Sequence, residues 1–173
     1  MKITINEKNL IPNENWQHFT KVRAIIKNNK NEYVITQESN KIIFPGGKAE
    51  NNEEPIDAII RELQEELGIT FSQEEIKQEL EIDSYYDNYY DVREKKYTQR
   101  YTKTYYFLIN TNEEINLNKQ KLTKDEIKQG FKIFFTSKEN LIDLIKKDHS
   151  KAHNGEYFDT ENLIILDQII NTN

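Results

Sequence analysis

The stretch that decides the fold is FPGGKAENNEEPIDAIIRELQEELGIT, Phe44 to Thr70. It holds three of the chain's five glycines, Gly46, Gly47 and Gly68, and three carboxylates within five positions, Glu62, Glu65 and Glu66. Between the glycines, Ile56, Ile59, Ile60, Leu63 and Leu67 recur at helical spacing. That spacing predicts a helix starting near Pro55, whose missing N–H costs nothing in a first turn, with Asn52 or Glu53 as the cap. Gly68 ends it as a left-handed C-terminal residue.

At about 100° per residue the apolar side chains form one stripe. Glu62, Glu65 and Glu66 form the adjoining stripe, and small Ala58 one turn earlier leaves them uncrowded. Like charges at these spacings repel by roughly a few tenths of a kcal/mol per pair. They also sit near the helix C-terminus, where the helix dipole disfavours anions. Two penalties on one surface point to a compensating partner, a hard divalent cation such as Mg2+ or Mn2+. Arg61 is positioned to hold and orient a carboxylate in bidentate fashion. An isolated cluster of this kind is usually a solvated acidic face, so the flanking residues have to decide.

Working outward, Lys2–Ile5 reads as a short strand. VRAII (Val22–Ile26) is a buried strand, NNKNE is turn chemistry, and YVITQ (Tyr33–Gln37) is the returning strand of a hairpin, followed by KIIF. Beyond Gly68, FSQEEIKQEL is a polar connector into a long hairpin over residues 81–109 that turns at Arg93–Lys96. TNEEINLNKQKLTKDEIKQG is a loop and Phe131–Phe135 a strand. Ser137 caps a short helix, and DTENLIILDQII closes the chain as an amphipathic helix. Strands and helices alternate irregularly, so the class is α/β or α+β with a mixed sheet, expected as one domain over 1–173.

The 173 residues allow one ordinary core. A net charge of −6 argues against a general nucleic-acid binder, and an anionic substrate would need bridging cations. The absence of cysteine excludes disulfides, thiolate zinc sites and a cysteine nucleophile, and fits a cytoplasmic location. The N-terminus lacks the apolar core and cleavage site of a signal peptide, and no run has the length of a membrane span, so no membrane partner is expected.

With its flanks, the stretch resembles the signature of the Nudix hydrolase superfamily. The matching positions are Gly47, Glu53, Arg61, Glu62, Leu63, Glu65, Glu66, Gly68 and Ile69, so every defined position of the box (47–69) is present. The resemblance implies an α/β/α sandwich around a mixed sheet, with the box forming loop–helix–loop. It implies hydrolysis, with Mg2+ or Mn2+, of a nucleoside diphosphate linked to another group, a nucleotide-type small molecule. By position, Glu62, Glu65 and Glu66 resemble the metal-binding carboxylates, and the carbonyl of Gly46 or Gly47 a further ligand. Glu53 and Arg61 resemble the pair that fixes the loop against the helix. The attacking water's proton would go to Glu62 or Glu65, or to an acidic residue of a later loop, where Asp125 and Glu126 stand and Glu126 is the candidate. Two other readings remain beside this one: removal of a 5′ pyrophosphate or cap from RNA, and a catalytically silent nucleotide sensor. The retained carboxylates argue against silence.

Substrate contacts lie outside the box. Arg23, in the first buried strand, needs an anionic partner, either a substrate phosphate or an internal carboxylate. Tyr85, Tyr86, Tyr89, Tyr90, Tyr97, Tyr101, Tyr105 and Tyr106 are interleaved with Arg93, Lys95, Lys96, Arg100 and Lys103. Aromatics among cations can stack bases and hold phosphates, and Tyr85, Tyr105 and Arg100 are the candidates. The alternative is that tyrosine simply builds strands, with a hairpin edge able to form a homodimer. Trp16 reads as core. His149 and His153 are spaced to share a metal, but with no further ligand nearby they read as a solvated loop.

Overall fold

The structure, a computed structural model, describes residues 1–38, 41–91, 94–149 and 155–171, with the side chains of residues 148, 149 and 155–159 outside the description. Strand β1 covers Lys2–Ile5, β2 Gln17–Asn28, β3 Tyr33–Glu38, β4 Lys41–Ile43, β5 Lys77–Asp91, β6 Lys96–Thr111 and β7 Lys132–Thr136. Among the described residues these make one seven-stranded mixed sheet in the order β1-β5-β6-β2-β3-β4, with β7 paired to β3. β1 runs parallel to β5 and β2 parallel to β6; the other pairs are antiparallel.

β2 is the spine. Its whole length pairs with β6, from Gln17↔Arg100 to Asn28↔Thr111. Its other edge takes β3 through Ile26↔Val34. Further along that edge it takes the glycine segment: Ala24 N donates to Pro45 O at 2.8 Å, Val22 N to Gly47 O at 2.9 Å, and Ala49 N to Thr20 O at 3.0 Å. The Pro-Gly-Gly turn is therefore held on a central strand, not free in solvent.

Side-chain alternation along β2 builds two cores. Val22, Ala24 and Ile26 pack with Ala58, Ile59, Leu63 and Leu67 of helix α1 (Pro55–Leu67). Ile25 faces the opposite layer, with Leu141 and Ile145 of α3 (Lys138–His149), Ile165 of α4 (Gly155–Ile165) and Leu166, Ile169 and Ile170 of a closing π turn. Each fully buried Ile or Leu here contributes about 1.5–3 kcal/mol. The result is the helix–sheet–helix layering expected for the class. No helix among the described residues is long and apolar enough to cross a membrane.

Three local readings change. The N-cap of α1 is Glu54, in extended conformation and without a side-chain cap bond. Asn52 takes a left-handed backbone (φ 62°) and the Glu53 carboxylate is drawn to Arg61 and to Glu50 N. The connector after Gly68 holds a 3-10 turn, Gln73–Glu75, closed by a Ser72/Glu75 capping box, and β5 already begins at Lys77. The long loop after β6 contains a 3-10 turn, Leu117–Lys119, and a short helix α2, Lys124–Lys128. Thr123 and Glu126 form a capping box at the start of α2. That Thr-x-x-Glu spacing is a helix-start signal that was present in the sequence.

Candidate functional site

The site grows from α1. Arg61 donates from Nε to Glu53 Oε1 at 2.9 Å and from Nη2 to Glu53 Oε2 at 3.0 Å, and its Nη2 also reaches Lys48 O at 3.2 Å. One guanidinium thus ties the glycine segment and the helix entrance to the helix body. Its Nη1 lies 3.0 Å from Glu62 Oε1 and 3.1 Å from Glu65 Oε2. The Arg61 charge holds the Glu53 carboxyl below the usual carboxylate range.

Glu62 and Glu66 are buried, whereas the Glu65 side chain is 39% exposed. Burial pushes the Glu66 carboxyl well above the usual range, opposed by Arg23 and by the Gly46 N–H, which donates to Glu66 Oε2 at 2.7 Å. Burial raises Glu62 as well, opposed by Arg61. Gly46 has φ +125°, and a Cβ there would lie 2.3 Å from Val22 O. At Gly47 a Cβ would lie 2.4–2.6 Å from the Glu62 carboxylate, so the missing side chain leaves the space that the carboxylate fills.

Carboxylate oxygens of Glu38, Glu66 and Glu126 lie within 4.8 Å of one another. Glu38 ends β3, Glu66 comes from the last turn of α1 and Glu126 from α2. Glu126 is not a plain loop residue: its carboxylate also accepts from Thr123 N. Nothing in the sequence marked Glu38, an isolated acid at a strand end. Its place follows from the β3–β4 pairing, which starts at Glu38↔Lys41.

Arg23 has carbonyl partners, its Nη1 donating to Phe44 O at 3.2 Å and to Gly46 O. Gly46 O therefore already faces a cation, and Gly47 O accepts from Val22 N. Lys21, Arg23 and Ile25 alternate with Val22 and Ala24, and pair in register with Thr104, Tyr106 and Leu108. Arg100 and Thr102 continue that same face of β6. Arg100 is buried between the rings of Phe19 (4.5 Å) and Tyr89 (3.8 Å), and its Nη2 donates to Gln17 Oε1 and Asp91 Oδ2. Its Nε and the Thr102 hydroxyl are buried with no hydrogen-bond partner among the described residues.

Tyr85 and Tyr105 lie on the opposite face. Tyr105 pairs with Val22 and packs against the α1 core, and Tyr85 stands 5.0 Å from the Tyr101 ring. The structure thus brings Arg23 and Arg100 to one face and separates both from Tyr85 and Tyr105. Besides Tyr89, whose ring stacks on Arg100, the arginine face carries Tyr86 and Tyr106, which sequence reading did not single out. They donate to Glu161 of α4, which is buried and accepts four hydroxyls: Ser84 at 2.7 Å, Tyr86 at 3.2 Å, Thr104 at 3.3 Å and Tyr106 at 3.0 Å. Trp16 is buried, as expected. Arg93, His153 and the side chain of His149 lie outside the described residues.

Residues 17–154 match the NUDIX domain family. The chain belongs to that family. Its Nudix helix is α1, and the box residues hold the geometry described above. Over 53 residues the chain is 51% identical to the 8-oxo-dGTP diphosphatase of Escherichia coli strain K12, a stretch covering 27% of this chain and 41% of the relative. The chain thus matches less than half the length of that curated relative. Among solved structures, a MutT from a study of Aliivibrio salmonicida and Vibrio cholerae is 22% identical with a TM-score of 0.52, over 87% of this chain and 98% of that one. The MutT protein of Bacillus halodurans is 19% identical with a TM-score of 0.53, over 73% of this chain and 72% of that one. At these identities the two structures speak to the Nudix fold.

Proposed function

We propose that this Nudix chain is a divalent-metal-dependent pyrophosphohydrolase that cleaves a nucleoside diphosphate linked to another group, by attack of water at phosphorus. The observation that carries the reading is the gathering of carboxylates from three separate segments, Glu38, Glu66 and Glu126, beside Glu62 and Glu65 of the same helix. Burial of Glu62 and Glu66 in like-charged company is costly unless a cation joins them. The donors are all carboxylate and carbonyl oxygen, which suits Mg2+ or Mn2+.

Glu62, Glu65 and Glu66 would hold the metal, with a glycine carbonyl. Either Gly46 or Gly47 can supply it: each carbonyl already accepts one hydrogen bond, from Arg23 and from Val22 N, and keeps a second lone pair. When bound, the metal would neutralise diphosphate oxygens and lower the pKa of a bound water. The chain's own residues supply the rest. Arg61, anchored by Glu53, holds the carboxylate helix at a set distance from the glycine segment. A carboxylate oxygen of Glu126 takes the proton from the attacking water, with Glu62 and Glu65 as the alternatives. Arg23 steadies the glycine turn and presents its remaining N–H groups to a substrate phosphate.

The nucleotide lies along the face of β2 and β6 that carries Arg23, Lys21 and Arg100. The Arg100 Nε and Thr102 hydroxyl, buried without a hydrogen-bond partner among the described residues, support this, since buried polar atoms are normally satisfied. The local identity to an 8-oxo-dGTP diphosphatase makes that nucleotide the first to test.

The test is a panel of nucleoside triphosphates, 8-oxo-dGTP, ADP-ribose, nucleotide sugars and dinucleoside polyphosphates, each with Mg2+ and Mn2+. At least one should be hydrolysed, with turnover lost on chelation and lowered about 100-fold or more in Glu65→Gln and Glu66→Gln. Turnover near that of the wild type in both variants would remove the metal assignment.

A further inference from the structure

An α-helix ends with four carbonyls that have no partner within the helix. In α1 these belong to Gln64, Glu65, Glu66 and Leu67, and its last turn has no basic residue to offset them. All four are satisfied. Gly68 N donates to Gln64 O at 3.0 Å, the ordinary left-handed closure. The other three donors come from one distant segment: Lys121 N to Glu65 O at 2.8 Å, Asn116 N to Leu67 O at 3.0 Å, and the Gln120 side-chain amide to Glu66 O. Fit here is close, because a Cβ on Gly68 would stand 2.2 Å from Asn116 O. Two of these donors are main-chain groups that any sequence would supply. Only Gln120 is a side-chain choice.

The same segment runs on, through Thr123, into α2 and Glu126. Gln120 therefore joins the main chain of Glu66 to the segment that delivers Glu126, and these two acids bring oxygens into one cluster. We infer that Gln120 is a positioning residue for the metal-binding carboxylates, setting Glu66 against Glu126 by clamping the last turn of α1. The inference rests on the metal reading given above. Removing the amide leaves the Glu66 carbonyl without a donor and lets the last helical turn and the 116–126 segment shift apart. Replacing it with a carboxylate sets two acceptors against each other.

The test compares Gln120→Glu, Gln120→Met and Gln120→Lys, the last of which keeps a donor. Mn2+ binding is measured on the folded proteins by electron paramagnetic resonance, alongside kcat and KM for the best substrate and thermal melts. Gln120→Glu and Gln120→Met should weaken Mn2+ binding about 10-fold and lower kcat comparably with little change in KM, while Gln120→Lys stays within about twofold of the wild type, as expected for a group that orients ligands. A lower melting temperature with wild-type Mn2+ affinity and kcat would make Gln120 a purely structural clamp and overturn the inference. A wild-type chain that neither binds Mn2+ nor hydrolyses any nucleotide would instead overturn the metal reading, and this inference with it.

Discussion

The Arg61 guanidinium spans both oxygens of the Glu53 carboxylate, Nε to Oε1 at 2.9 Å and Nη2 to Oε2 at 3.0 Å. The pair closes the loop between the glycine turn and the Nudix helix. A fork-to-fork ion pair is stronger than a point contact, but the Arg61 side chain is 26% exposed, so solvent screening reduces its worth. A double-mutant cycle on Glu53→Ala and Arg61→Ala should give a coupling of about 1–2 kcal/mol by urea unfolding, and Arg61→Lys should not restore it. A coupling near zero would make the pair incidental.

Gly46 and Gly47 should respond differently to the same substitution. Gly46→Ala meets both a backbone oxygen and a positive φ, and should cost about 3 kcal/mol. Gly47→Ala meets only the far end of the Glu62 side chain, which can move. It should keep its melting temperature nearly unchanged and lose turnover, because Glu62 is displaced. Equal destabilisation by the two changes would contradict this division.

Lys21 sets a pH dependence. Its ammonium is buried although the residue keeps some surface, and that burial lowers it from 10.5 to about 8, offset in part by Glu161 and reinforced by Arg23, Arg100 and Lys41. Between these values the unfolded chain binds more protons than the folded one, so stability should rise with pH through that window. The rise, followed by chemical unfolding, should reach up to about 3 kcal/mol and be absent in Lys21→Met. A flat profile in the wild-type chain would show that the ammonium reaches water.

Glu161 and its four hydroxyls make a satisfied buried network between α4 and the sheet. Tyr106→Phe should cost about 1–2 kcal/mol, as one hydrogen bond to a charged acceptor is lost. Glu161→Leu should cost about 3 kcal/mol or more, since several buried hydroxyls lose their acceptor. Tyr105→Phe, on the other face of the same strand, should change stability by less than about 0.5 kcal/mol. Equal costs for Tyr105→Phe and Tyr106→Phe would undo the assignment of faces.

By itself the sequence determined what rests on near neighbours. The period of Ile56, Ile59, Leu63 and Leu67, the Pro55 start and the Gly68 stop belong to one helix, and their spacing along the chain is their spacing in space. The Glu53–Arg61 clamp was implied by the resemblance to the Nudix signature, since spacing alone offered Glu53 as a helix cap. Tertiary structure decided the rest. Which tyrosines share a face with Arg23 and Arg100 depends on strand register, and a shift of one residue exchanges Tyr105 for Tyr106. Glu38, Glu161 and Gln120 act on partners far away in the chain, across a hairpin, a helix–sheet interface and a loop closure. No periodicity records such pairings. They arise when buried carbonyls and carboxylates, cut off from water, have to find donors or cations among whatever the fold brings beside them.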